Sequence, residues 1–477
     1  MTATGLRQSL RLVFASLVLV LLGCAPAASP PGSRDPGAVT VVGALGSPVL
    51  LANGDSTVYA RIRIGTAARP ERARGPVNLA LAIDTSGSME GEAIQEARKA
   101  AQQMIDALKD GDRLAVVVFH SKAEVLLEST VLDADVREGV RKKIAAMEAR
   151  GTTEMAGGLQ VAIDQVQAHL DAKGVNRVVL LGDGIPNNAA SIDPSARRAG
   201  ALGIAVTTLG LGLDYDETLM GKVAELSGGR YQYIDGAEKL AGFFREEMER
   251  LDTVYGRHAS AVITPGPGVR IDAVVGSETP SPGQPAHVSL GDITRGDSRD
   301  IVVRMTVTPR KAGVPIELLD TVVTFDDALE EAGRLERRVY LGARTTLDES
   351  AVAKAKVPEV ELSAALAEAS ATTIRALELS KVGQNVRARE LLAKGSTAAL
   401  SQAKRTPSAE LEKLAANMTS VAKDIPEADR PAPRAAPGYH FSDDAVDGQM
   451  ERPMPAPSPA AARTQKEAHQ YAVETLR

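Results

Sequence analysis

The sequence predicts an α/β protein. Its doubly wound, mostly parallel sheet is inserted in or flanked by a β-sandwich and is followed by a C-terminal helical segment. Residues 77–252 alternate short apolar runs with amphipathic segments, residues 39–76 and 258–345 contain β-type runs separated by turns, and residues 348–423 are rich in Ala, Glu, Lys and Leu. Alternating strands and helices are typical of a parallel sheet that is covered on both faces.

The α/β block begins with V-N-L-A-L-A-I at residues 77–83, a run that is almost entirely apolar, as expected of a central strand. A helix is predicted at 92–108, where apolar residues recur every three or four positions. The rest of the block continues this alternation, with strands at 113–119, 124–127 (a short edge strand), 177–181, 203–209 and 231–234, and helices at 134–149, 155–170, 216–226 and 237–251.

The flanking segments predict two further units. Residues 39–76 and 258–345 have the alternating pattern of antiparallel strands, and we expect them to form one sandwich. Residues 348–423 predict two or three helices packed as a small bundle. Residues 424–477 are expected to be a mostly disordered tail, in which residues 460–476 have a helix-like pattern.

The composition is that of an ordinary globular chain that begins with a targeting segment. The 477 residues include no Trp, so the cores must be aliphatic. The formal net charge is −6, so nucleic acid is not an expected partner. Residues 1–23 read as a signal peptide, because Arg7 and Arg11 precede an apolar run that is too short to cross a bilayer. Residues 24–38 are expected to be a flexible tether.

Cys24 is the only cysteine of the chain and follows Leu21-Leu22-Gly23, a string that resembles a bacterial lipobox. The resemblance implies that Cys24 is acylated and anchors the chain to a membrane. The implied location is the cell envelope, at the outer membrane or the outer face of the cytoplasmic membrane. The alternative is an ordinary cysteine in a plain secretory peptide.

Oxygen ligands lie directly after the first strand of the block. Asp84, Ser86 and Ser88 alternate along a tight turn that contains Gly87. A carboxylate and two hydroxyls are hard donors, which suit Mg²⁺, Mn²⁺ or Ca²⁺ and do not suit zinc or copper. Open α/β sheets also place their ligands at the carboxyl ends of their strands. The turn therefore predicts a divalent-cation site, with helix capping by the serines as the alternative.

This turn resembles the metal-ion-dependent adhesion site of von Willebrand factor type A (VWA) domains, whose signature is D-x-S-x-S. Two later strings resemble the other metal loops of that family. Thr153 matches the family's ligand threonine, with Thr152 as an alternative, and Asp183 matches the final acid, although Gly182 stands where Thr is common. The resemblance implies a Rossmann-like VWA fold and a metal site made of Asp84, Ser86, Ser88, Thr153 and Asp183.

The resemblance implies binding rather than catalysis. A cation in such a site, with Mg²⁺ as the first expectation and Mn²⁺ or Ca²⁺ as alternatives, leaves a position for an acidic side chain of a partner protein. A second hypothesis is a metal-dependent assembly or chaperone subunit of an envelope complex or an ATPase system. The enzyme hypothesis has little support, since the sequence contains no G-x-x-x-x-G-K-[ST] loop, no G-x-S-x-G elbow and no zinc-type histidine spacing. His120 is interpreted as structural.

Overall fold

The computed structural model describes residues 35–67, 75–171, 174–183, 191–213, 215–251, 253–308, 310–429 and 457–476. The chain begins with strands β1 (Val39–Leu45), β2 (Val49–Leu51) and β3 (Ser56–Thr66). The α/β block follows, with β4 (Val77–Asp84), α1 (Glu92–Ala107), β5 (Arg113–Phe119), β6 (Ala123–Val131), α2 (Ala134–Ala145), α3 (Met155–Gln167), β7 (Val175–Gly182), α4 (Ile192–Ala201), β8 (Ala205–Leu211), α5 (Glu217–Ser227), β9 (Tyr231–Ile234) and α6 (Ala237–Leu251).

The chain then returns to strands and ends in helices. The strands are β10 (Val254–Pro265), β11 (Val269–Val274), β12 (Ala286–Thr294), β13 (Ser298–Val307), β14 (Pro315–Asp327) and β15 (Arg334–Thr346). The helices are α7 (Glu349–Lys354), α8 (Pro358–Lys381), α9 (Asn385–Arg405), α10 (Ala409–Asp424) and α11 (Pro459–Thr475).

The sheet of the α/β block has the strand order β6-β5-β4-β7-β8-β9 over the described residues. Adjacent strands of this sheet are parallel, except for the edge pair β5–β6, which is antiparallel. All eight residues of β4 are buried, because this nearly continuous apolar strand lies between two others with helices on both faces. One apolar core includes side chains of α1 and α6, and the other includes side chains of α3, α4 and α5. The predicted doubly wound fold is confirmed.

Strands from both sides of the block form one sandwich. One sheet has the order β1-β3-β13-β11, and the other has the order β12-β10-β14-β15-β2. In the first sheet, Ile62 of β3 lies opposite Ile301 of β13, and in the second, Val49 of β2 pairs with Arg344 of β15. Because the paired residues of β3 and β13 lie 233 to 251 positions apart in the chain and share a single apolar core, the α/β block is inserted into the sandwich between β3 and β10.

A buried ionic network joins the α/β block to the sandwich. Arg177 of β7 donates hydrogen bonds to Glu247 of α6 at 2.6 Å and to Asp292 of β12 at 2.8 Å. Glu247 is fully buried, and Arg230 adds a second guanidinium 3.3 Å from its carboxylate. Burial opposes ionisation of Glu247, but Arg177, Arg230 and Arg250 together outweigh it and hold its pKa below the ordinary value. The network therefore ties α6 and the central sheet to the sandwich.

The end of the chain differs from the sequence-based expectation. The helices α8, α9 and α10 form the bundle, and α11 packs against it with Ala468 in the shared core. Residues 460–476, which have a helix-like pattern within the tail predicted at 424–477, form α11 over Pro459–Thr475, and small side chains allow this helix to pack closely. Residues 430–456 of that tail lie outside the described residues.

Several predicted boundaries also differ: the helix predicted at 155–170 ends at Gln167, and the strands predicted at 177–181 and 203–209 are Val175–Gly182 and Ala205–Leu211. The helix predicted at 134–149 ends at Ala145, because the next residues turn back toward the end of β4, where the Arg150 amide donates to the carbonyl of Thr85 at 2.7 Å. The short edge strand predicted at 124–127 extends over the nine residues of β6. Within the tether predicted at 24–38, Asp35 is not free but pairs with Arg337 of β15 at 2.9 Å.

Candidate metal site

The first loop of the candidate site is built on the end of the central strand. Asp84 closes β4 with no exposed surface, and its Oδ1 accepts a hydrogen bond from the Ser86 amide at 2.8 Å. This carboxylate-to-backbone bond two residues on is typical of Asp in turns and reverses the chain directly after the strand. A single 3-10 turn over Gly87–Met89 then leads toward α1. The carboxylate and the two serines are thus held within one compact loop.

Hydroxyl groups connect this loop to the neighbouring strand. The Ser86 and Ser88 hydroxyl oxygens lie 3.0 Å apart, and the Ser88 hydroxyl donates to Asp183 Oδ1 at 2.8 Å. Asp183 directly follows β7, which pairs with β4 in parallel, so both acids leave the sheet at the same edge. Asp84, Ser86 and Asp183 are buried, whereas Ser88 is exposed. The structure therefore brings four of the five predicted ligands into one cluster that opens to solvent at Ser88.

Gly182, which stands where Thr is common in the family, lies against the carboxylate of Asp84. A Cβ atom at Gly182 would be 3.2 Å from Asp84 Oδ2, closer than most side-chain contacts. A larger residue at 182 would therefore press on the buried carboxylate. Gly182 thus provides room for Asp84 instead of a further hydroxyl.

The second loop is fixed to the first by backbone hydrogen bonds. The Gly87 amide donates to the Gly151 carbonyl at 3.0 Å, next to the bond from Arg150 described above. Two residues further on, Thr153 is buried, whereas Thr152 is exposed and its amide donates to the Ser121 hydroxyl at 3.1 Å. Burial beside the first loop favours Thr153 over Thr152 as the threonine of the site.

His120 and Arg150 lie beside the second loop, although no sequence motif indicates that they belong to the site. His120, directly after β5, is buried and accepts a hydrogen bond from the Ser121 amide at 2.7 Å. The Arg150 Nε atom lies 3.3 Å from His120 Nε2, and its guanidinium lies 3.5 Å from the Glu124 carboxylate. These contacts are consistent with the structural role expected of His120. Arg150 is not part of any motif in the sequence. Its position at the loop depends on the turn after α2.

The donor set can be compared with the needs of a cation. Asp84 and Asp183 supply two carboxylates and the other three residues supply hydroxyls, a hard-oxygen set of low charge that fits Mg²⁺, Mn²⁺ or Ca²⁺. Within the described part of the chain there is no group of three or more His, Cys, Asp or Glu residues with metal-binding geometry. A divalent cation here would therefore depend on the hydroxyls of Ser86, Ser88 and Thr153 as much as on the acids.

Some predictions lie outside the described residues. They are the signal peptide at 1–23, the acylation of Cys24 and most of the tether. Residues 184–190, directly after Asp183, also lie outside the described part of the chain. Among the described helices, none is both long and apolar enough to span a bilayer.

A family model and solved structures are similar to this chain. The model described as von Willebrand factor type A domain matches residues 77–233. The structure of a von Willebrand factor type A protein from Catenulispora acidiphila is 19% identical, covers 81% of this chain and 91% of its own, and has a TM-score of 0.64. The ArnB paralog VWA2 from Sulfolobus acidocaldarius is 17% identical, covers 81% and 95%, and has a TM-score of 0.55. The likeness in fold thus extends beyond the α/β block.

Curated relatives match part of the chain. The uncharacterized protein sll0103 of Synechocystis is 26% identical over 270 residues, which are 53% of this chain and 63% of that protein. Human inter-alpha-trypsin inhibitor heavy chain H4 is 29% identical over 192 residues, which are 37% and 21%. The chain therefore spans less than two thirds of either relative. With the family model and the sheet topology in agreement, residues 77–233 of this chain are a von Willebrand factor type A domain.

Proposed function

We propose that this protein binds a protein partner through a divalent cation held by Asp84, Ser86, Ser88, Thr153 and Asp183. VWA domains often mediate protein–protein interaction, which gives the proposal its general basis. The observation that carries it is the hydrogen-bonded set of acids and hydroxyls from two neighbouring strand ends, with Ser88 at the surface.

Charge and exposure give the expected mode of binding. Two carboxylates balance the charge of one divalent cation, and the neutral hydroxyls add none. A cation of this kind takes six or more oxygen ligands, so five side chains leave room for an oxygen from outside. An Asp or Glu side chain of a partner would supply a hard, charged oxygen at that position. The proposed role is binding without catalysis.

The proposed location is the cell envelope, with the chain anchored through acylated Cys24. This part of the proposal rests on the sequence Leu21-Leu22-Gly23-Cys24 after an apolar run. Membrane fractionation and intact mass of the mature chain test it directly: we expect a lipid-modified cysteine, and Cys24→Ser should release the protein from the membrane. An unmodified chain in the soluble fraction would contradict the anchor but not the metal site.

The second candidate is a metal-dependent subunit of an envelope complex or ATPase system. An acylated chain outside the cytoplasm could not meet a cytosolic ATPase. Recovery of an ATPase among the bound proteins, with Cys24 unmodified, would favour this second candidate.

The main experiment is capture of partners from an envelope extract. The wild-type chain should retain a protein in Mg²⁺ and lose it in EDTA, while Asp84→Ala should retain none in either. Glu90→Gln is the matched control, because Glu90 is an exposed acid two residues beyond Ser88 and should behave as the wild type. Equal capture by the wild type and Asp84→Ala, with and without EDTA, would refute the proposal.

A further inference from the structure

The C-terminal helix α11 lies in a groove that several parts of the molecule build together. It contacts α5 and β9 of the VWA domain and the bundle helices α8 and α10. Beyond the end of the helix, Leu476 contacts the sandwich at Gly276, where an added Cβ would lie 2.7 Å from its Cδ1. Helix α11 is therefore the point at which domain, sandwich and bundle meet.

Lys466 is the central polar anchor of α11 and is only 3% exposed. Its amine donates to the Tyr215 carbonyl at 2.8 Å and to Glu217 Oε2 at 3.1 Å, and it lies 3.8 Å from the centre of the Tyr215 ring. The other oxygen of Glu217 is 3.2 Å from Lys381 of α8. One buried carboxylate of the VWA domain thus receives a lysine from the bundle and a lysine from α11.

The next turn of α11 fits the VWA domain by shape and by hydrogen bonding. The His469 ring stands edge-on to Tyr231 with centroids 5.2 Å apart. Below it, a Cβ at Gly221 would be 2.8 Å from His469 Cε1, so glycine is what lets the ring enter. Gln470 accepts a hydrogen bond from the Tyr233 amide of edge strand β9 at 3.0 Å. The side chain of Gln470 thus satisfies a backbone group that an edge strand would otherwise present to solvent.

The opposite side of α11 faces the bundle. The Lys413 amine of α10 lies 4.0 Å from the centre of the Tyr471 ring, and Ala468 is part of the bundle core. Val473 packs against the VWA core from outside. Helix α11 adds few apolar side chains to the cores of the VWA domain and the bundle, which consist mainly of those units' own residues. The polar contacts of Lys466, His469 and Gln470 are what make the fit of α11 specific.

We infer that this groove is a helix-binding site and that α11 is its ligand. The groove fits a helix with the spacing Lys-x-x-His-Gln, which α11 presents at residues 466–470. Bound there, α11 holds the bundle against the VWA domain through the shared carboxylate of Glu217. A helix of another chain with the same spacing would compete for the same groove.

The inference is tested on the folded, full-length protein. A protease site placed within residues 430–456 allows the chain to be cut after folding, and a fluorescently labelled peptide of residues 457–477 is then added in excess. We expect the labelled peptide to replace the C-terminal fragment and bind with saturation. The Lys466→Gln peptide should bind roughly 10- to 100-fold more weakly, since it loses a hydrogen bond to a buried charged group.

The matched control peptide carries Glu467→Gln, a charge change at the adjacent, exposed position, and should bind as the wild type. Failure of the labelled peptide to bind or exchange would overturn the inference. Equal binding of the Lys466→Gln and Glu467→Gln peptides would overturn it as well, as would unfolding of the VWA domain when α11 leaves.

Discussion

The hydroxyl of Ser88 donates to Oδ1 of Asp183 at 2.8 Å, and this bond joins residues 95 positions apart in the chain. It connects the ends of two parallel strands at the edge where the candidate cation site lies. Because Ser88 is exposed and Asp183 is buried, the pair also marks where the site meets solvent. In the proposed site both groups are ligands, so the bond between them would be exchanged for bonds to the cation.

Replacing Ser88 by Ala tests the role of this pair. Without metal, we expect the free energy of unfolding to fall by about 1–3 kcal/mol, because the buried carboxylate of Asp183 loses a hydrogen bond. With Mg²⁺ at 100 times its dissociation constant the wild type should gain about 2.7 kcal/mol, and the variant should gain less. Thermal unfolding with and without Mg²⁺ measures both effects. An equal Mg²⁺ gain in the two proteins would show that Ser88 is not a ligand.

The packing of α3, which follows the second metal loop, is tested by Gly158→Ala. A Cβ at Gly158 would lie 2.4 Å from Phe119 Cδ1 of β5, so the helix cannot approach the sheet as closely. We expect a loss of about 1–3 kcal/mol in the free energy of unfolding, measured with urea. In the control Gly139→Ala, on the exposed side of α2, the new Cβ meets no atom within 4 Å, and a gain of up to about 1 kcal/mol is expected. A similar gain from both substitutions would contradict the packing.

The buried network between the VWA domain and the sandwich is tested by Arg177→Met. The substitution leaves Asp292 and the fully buried Glu247 without their main cation, and losing one partner of a buried ion pair costs about 3–5 kcal/mol. Arg198→Met is the control, because its pair with Asp164 is exposed and should be worth less than about 1 kcal/mol. Urea denaturation compares the two. Equal losses would argue against a special role for the network.

The docking of α11 should weaken in acid. Burial is the main cause that lowers the pKa of His469 to about 4 from 6.5, and the charges that face it are those of Asp216, Glu217, Lys381 and Lys466. The docked state prefers the neutral ring, so this contribution to stability is complete above pH 6.5. It is lost as the pH falls toward 4, up to about 3 kcal/mol.

The measurement is urea denaturation at several pH values between 7 and 4 for the wild type and His469→Gln. The variant should lose less stability over this range, because it lacks the titrating ring. Its remaining loss reports the other acids, such as Glu217, whose pKa is held low by Lys381 and Lys466 against the effect of burial. Identical pH profiles for the two proteins would show that His469 does not titrate in this way.

Much of the VWA domain could be predicted from the sequence, because its signals are local. The apolar run of β4 and the alternation of Asp84, Ser86 and Ser88 are legible within a few residues. Thr153 and Asp183 are indicated by the resemblance of their short local strings to the other metal loops of the VWA family. The length of β6 was underestimated because its partly buried residues have no clear alternation.

The docking of α11 could not be predicted, because its signals are not local. Lys466 and His469 are polar residues in an Ala-rich segment, and nothing local to them indicates burial. Their burial depends on Glu217 and Tyr231, which lie more than 200 positions away in the sequence and are brought near by the fold. The position of Arg150 has the same kind of origin, since it depends on where α2 ends.

The proposed function requires that Asp84 and the residues around it hold a divalent cation. Calorimetric titration of the metal-free protein with Mg²⁺ tests it most directly, with the wild type, Asp84→Asn and the Glu90→Gln control compared at equal concentration. We expect one saturable Mg²⁺ site in the wild type and in Glu90→Gln, and none in folded Asp84→Asn. The same Mg²⁺ affinity in the wild type and in Asp84→Asn would contradict it.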